Sequence, residues 1–70
     1  MRIEKKITYH IHTYFSWETY EVESVIDDAY PMAFIKIKSP YMLEITFEEE
    51  VEGFEEFVAK LKVVEFNKIA

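Results

Sequence analysis

The stretch "HIHTYFSWETYEVE", residues 10–23, spaces two histidines and two glutamates at i, i+2: His10 with His12, and Glu21 with Glu23. On a strand, alternate residues share a face, so this spacing offers two imidazoles to a zinc ion and a facing carboxylate as a third ligand. The same spacing also describes two solvated histidines beside carboxylates. Lys36 and Lys38, expected on the next strand about 4.8 Å away, would compete with a cation for those glutamates, and no metal or other cofactor is expected. Nucleophilic catalysis is disfavoured on similar grounds. Ser24 is expected to point inward while the histidines point outward, and Ser16 lies in the turn beyond them. With a single glycine, no phosphate-cradling or dinucleotide loop is possible. The carboxylates sit on faces expected to be wet, where nothing shifts their pKa toward acid/base work, so the chain reads as a non-enzyme.

The abundant chemistry is negative charge. The 70 residues contain 14 Asp or Glu against 8 Lys or Arg, for a net charge of −6. That balance disfavours direct binding to nucleic acid phosphates and favours basic protein partners. Half of the residues are hydrophobic, too many for a disordered chain. The length fits one small domain, residues 1–70, without room for an enclosed substrate cavity. No cysteine is present, no apolar run approaches a membrane span, and "MRIEKKITYH" does not resemble a signal peptide. The expected location is cytoplasmic, with no membrane partner.

The elements that position these charges follow from periodicity. Residues 3–13 alternate, with Ile3, Ile7, Tyr9 and Ile11 on one face and Glu4, Lys6, Thr8, His10 and His12 on the other, which predicts a strand. Residues 18–26 are read as a second strand, with Tyr20, Val22, Ser24 and Ile26 inward and Thr19, Glu21 and Glu23 outward, a pattern that Val25 breaks. A helix capped by Ser16 is the rival reading, but its apolar positions Trp17, Tyr20, Val22, Val25 and Ile26 spread around the wheel and form no stripe. "DDAYP" predicts a turn. Residues 32–38 and 42–48 predict two more strands, with Ile35, Ile37, Leu43, Ile45 and Phe47 inward and Phe34, unexplained, outward. The expected register sets Glu21 opposite Lys38 and Glu23 opposite Lys36. It also sets Lys38 opposite Glu44, Ile35 opposite Phe47, His10 opposite Glu23 and His12 opposite Glu21. From Glu49 the period becomes helical, and Phe54, Phe57, Val58, Leu61 and Val64 form a stripe with Gly53 inside the helix. The tail "VVEFNKIA" either extends that helix or adds a strand antiparallel to the first. The expected fold is α+β, a four-stranded antiparallel meander packed on one C-terminal helix.

Such a sheet has two ends of different chemistry. One collects Tyr14, Phe15, Trp17, Tyr41 and Met42, residue types that anchor interfaces or shelter a core edge. The other collects Asp27, Asp28, Glu48, Glu49, Glu50 and Glu52, continued by Glu55 and Glu56. A solvated helix start favoured by its dipole explains part of this acidity. Yet between Ser39 and Ala59 there are seven glutamates and no Lys or Arg, more than helix capping needs. In size and charge the chain resembles small phage-encoded inhibitors of nucleases and other nucleic-acid enzymes. That resemblance implies an acidic module that blocks a basic, nucleic-acid-binding surface of a larger protein. A small homo-oligomer, joined through the aromatic end or an edge strand, is the alternative.

Overall fold

The computed structural model describes residues 6–61 and 63–69. Ile3, Glu4 and Lys5, expected at the start of the first strand, lie outside them. The elements follow the order β1 (Ile7–His12), α1 (Ser16–Ala29), β2 (Phe34–Ser39), β3 (Met42–Phe47), α2 (Phe54–Ala59) and β4 (Glu65–Lys68). The sheet order is β2-β3-β1-β4, and every neighbouring pair is antiparallel. The α+β class is as expected. The order is not a meander but the βαββαβ, split-βαβ connectivity of ferredoxin-like domains.

The main correction falls on residues 18–26, which are helical. An alternating strand and a helix both place Val22 and Ile26 on one face, since i and i+4 coincide in the two periods. The residues that discriminate are Thr19, fully buried, and Tyr20 and Ser24, which the strand reading turned inward and which are exposed. Thr19, Val22 and Ile26 form the inward stripe of α1. Because its first member is polar, hydropathy alone hides it. The cap is Phe15 rather than Ser16: its extended backbone carbonyl accepts from the Glu18 N–H at 3.0 Å, and its own N–H donates to Glu18 Oε1 at 3.0 Å. At the other end Pro31 steers Tyr30 out of helical backbone, and the Tyr30 N–H closes on the Ile26 carbonyl at 2.7 Å.

With α1 in this place, Glu21 and Glu23 face neither Lys38 and Lys36 nor the two histidines. β1 pairs instead with β3, setting His10 opposite Glu44 and Ile11 opposite Leu43. The β2–β3 hairpin keeps its expected faces but slips by two residues, so that Lys36, not Lys38, stands opposite Glu44 and Ile35 stands opposite Ile45. The slip comes from a tighter turn at Pro40 and Tyr41 together with a bulge between Ile37 and Ser39, where Lys38 is the extra residue.

The predicted long helix is also shorter. Gly53 has φ 86°, left-handed backbone that glycine adopts without a Cβ clash, and it ends the preceding loop instead of sitting inside the helix. Glu49, Glu50 and Glu52 therefore lie in that loop. After Ala59 the β-branched pair Val63 and Val64 leaves the helix, and the tail becomes β4 on the outer edge of β1, with Phe66 opposite Ile11. The open question of the tail resolves in favour of a strand.

Both helices cover one face of the sheet. Tyr9, Ile11, Leu43, Ile45 and Phe47 from the strands meet Val22 and Ile26 of α1 and Phe54 and Val58 of α2 in one buried cluster. Each such aliphatic or aromatic side chain stabilises the fold by about 1.5–3 kcal/mol when fully removed from water. Phe54 is the hub of the aromatic part, with ring centroids 4.8 Å from Phe47, 5.0 Å from Tyr9 and 5.2 Å from Tyr30. These edge-on and tilted rings hold a six-residue helix that would not form alone.

Candidate functional site

Antiparallel pairing still sorts the loops into two ends, because α1 carries the chain back to the far end of the sheet as a strand would. At one end β1 gives way to α1 beside the β2–β3 turn. The Thr13 N–H donates to the Tyr41 carbonyl at 2.9 Å, and the buried Thr19 hydroxyl donates to the Pro40 carbonyl at 2.7 Å. Since that bond uses the only proton of Thr19, the adjoining Thr13 hydroxyl is the donor in the Thr13–Thr19 pair, its proton shared with the Phe15 carbonyl at 3.3 Å. This short chain of hydroxyls locks strand, helix and turn together. Around it Tyr14, Phe15, Trp17 and Tyr41 are all exposed, and Phe15 stacks on Trp17 at 6.0 Å with the planes 9° apart. They do not cap the core. They form an aromatic rim, and Met42, opposite His12 at the start of β3, is half-buried.

The opposite end is acidic. Asp27 and Asp28 occupy the last turn of α1, Glu48, Glu49, Glu50 and Glu52 follow β3, and Glu55 and Glu56 open α2. All eight side chains belong to exposed residues. Only Glu55 and Glu56 are placed where a helix dipole favours a carboxylate. Asp27 and Asp28 stand at the negative end of α1, which has no basic residue in its last turn, so the dipole opposes them. Burial pushes the Tyr9 hydroxyl above its ordinary range, and the nearby charges of Glu55 and Glu50 push it further. A shallow open hollow of about 220 Å³ lies among Glu50, Glu52, Glu55 and Glu56.

The face of the sheet away from the helices carries the histidines. Glu44 is the partner that the sequence did not assign to His10: its Oε2 accepts from His10 Nε2 at 3.1 Å and lies 3.9 Å from Lys38 Nζ. The hydrogen bond from His10 holds the Glu44 carboxyl below the usual carboxylate range, with smaller help from the Lys38, His10 and Lys36 charges against some desolvation. His12 shares this face, but Glu21 and Glu23 sit on α1 across the sheet and cannot complete a metal site with it. Among the described residues no group of three or more His, Cys, Asp or Glu is arranged to hold a metal ion. None of their helices is long and apolar enough to cross a membrane.

No protein-family model, curated protein or solved structure matches this chain. A fold of this connectivity hosts many unrelated functions, so function is read from these surfaces alone.

One surface escaped the reading of the sequence altogether. Where α1 passes the segment after α2, Trp17, Val22, Val25 and Leu61 line an open groove of about 370 Å³ together with Glu18 and Glu21. Val25 had marked only a break in a strand pattern. On α1 it is 43% exposed, a placement that no sequence pattern shows.

Proposed function

We propose that the protein is a cytoplasmic acidic binding module, not an enzyme, that docks its carboxylate-rich end on a basic surface of a larger protein. The surface it suits is one that otherwise holds nucleic acid phosphates, and the module acts there as a competitive inhibitor. The observation that carries this reading is Asp27 and Asp28 at the wrong end of a helix dipole, within an end of eight exposed carboxylates. Charge placed against local stability is expected where binding uses it. The spread of carboxylates over two helix ends and a loop presents negative charge across a surface rather than at one point, as a run of phosphates does. A long-range field of this kind speeds encounter with a positive groove and weakens as salt is added.

The test is capture of partners by the tagged protein at low salt. Proteins held by the acidic end elute with added salt and with duplex nucleic acid, and the triple variant E49Q/E50Q/E52Q captures them at least about tenfold less well. Unchanged capture by that variant overturns the proposal.

The second reading, a homodimer, draws on the exposed rim of Tyr14, Phe15, Trp17 and Tyr41. Sedimentation separates the two: an aromatic self-interface persists in high salt, whereas the acidic end favours a monomer.

A further inference from the structure

The groove beside α1 is apolar where the fold has no need of apolar surface. Trp17 and Val25 are 58% and 43% exposed, and neither belongs to the buried cluster. Its volume of about 370 Å³ falls within the range of sites that receive side chains or small ligands, roughly 300–1,000 Å³. The charge that lines it is negative. Glu18 and Glu21 are its two charged lining residues among the described ones, and Lys60 adjoins Leu61 in the chain. An occupant must therefore bring apolar side chains along one side and cations along its flanks. A basic amphipathic helix meets both demands, and a groove along a helix is a usual seat for one.

We propose that this groove receives a basic amphipathic helix of a partner protein. Its apolar anchors lie among Trp17, Val25 and Leu61, and its Lys or Arg side chains lie against Glu18 and Glu21. The site is distinct from the carboxylate end: Trp17 begins α1, while Asp27 and Asp28 finish it. The inference stands without the proposed function.

Trp17 is the chain's single tryptophan, so its emission reports the groove directly. The probe is a synthetic Leu/Lys peptide with leucines at i, i+3, i+4 and i+7. Its control has the same composition scrambled so that no apolar stripe forms. The striped peptide is expected to bind at least about tenfold more tightly, to move the Trp17 emission to the blue, and to shift the amide resonances of Val22, Val25 and Leu61. Val25→Lys removes the preference. Val25→Ser reduces it, and far-UV circular dichroism verifies that both variants are folded. The triple variant E49Q/E50Q/E52Q keeps it, which separates this site from the acidic end. Equal binding of both peptides without a blue shift, or no binding of either, overturns the proposal. A blue shift that grows with protein concentration in the absence of peptide, accompanied by dimer sedimentation, also overturns it by seating a second copy in the groove.

Discussion

Glu44 is a half-buried charge of the open sheet face, set between His10 and Lys38. Its carboxyl titrates below the usual range because His10 hydrogen-bonds to the ionised form. A depressed carboxylate contributes stability that is complete above its unfolded pKa and is lost as pH falls through its folded pKa. Glu44→Gln should therefore lower the melting temperature at neutral pH, with the difference from the natural protein closing as the pH drops below the carboxylate range. A difference that is constant with pH would rule out this linkage. Thr19 works by another route. Replacing it with Val removes the hydroxyl donor of the part-buried Pro40 carbonyl and leaves the Thr13 hydroxyl only its 3.3 Å contact with the Phe15 carbonyl, at a cost of about 1–3 kcal/mol. In a domain of this size each kcal/mol lowers Tm by about 4–8 °C, which thermal unfolding will read.

Among the elements, α1 carries the clearest conflict between stability and placement. Asp27→Asn with Asp28→Asn relieves both the opposed dipole and local repulsion, so the pair should raise stability by about 0.3–1 kcal/mol per site while weakening capture of basic partners. Denaturant unfolding together with the capture assay checks both halves, and a loss of stability would refute the dipole argument. The same helix shows where sequence and structure parted. The strands β1 and β3 were legible because Tyr9, Ile11, Leu43, Ile45 and Phe47 alternate without exception and are all buried. In α1 the shared Val22 and Ile26 satisfied two periods at once, and the deciding residue was a buried threonine. Apparent charge pairs across the supposed strands then reinforced the wrong period, since Glu and Lys at alternate positions match in many registers. In the second half, Gly53 read as a blemish in a long helix, whereas its positive φ makes it the boundary. The two ends of the molecule were nonetheless correctly populated, because a helix and a strand both return the chain to the opposite end of a sheet. The groove was not legible, since it needs the helices in three dimensions.

At the scale of the whole molecule, charge is uneven. The helices and the loop after β3 are carboxylate-rich, while the open face of the sheet mixes Lys36, Lys38, His10 and His12 with Glu44 and Glu65. Like charges held within a Debye length of about 10 Å at 0.1 M repel one another, so screening should favour the folded state. Tm is expected to rise as NaCl is raised from about 10 mM to 0.15 M, over the same interval in which capture of basic partners weakens. A falling Tm would mean that attractive pairs such as Lys38–Glu44 dominate the electrostatics instead. The bulge at Lys38 has a further effect on how copies of the chain behave when crowded. β2 is an outer strand of six residues whose free amides and carbonyls would otherwise template a neighbour, and the kink, with a cation at its apex, spoils that template. Deleting Lys38 should straighten this border and turn a dispersed protein into one that grows thioflavin-positive ribbons.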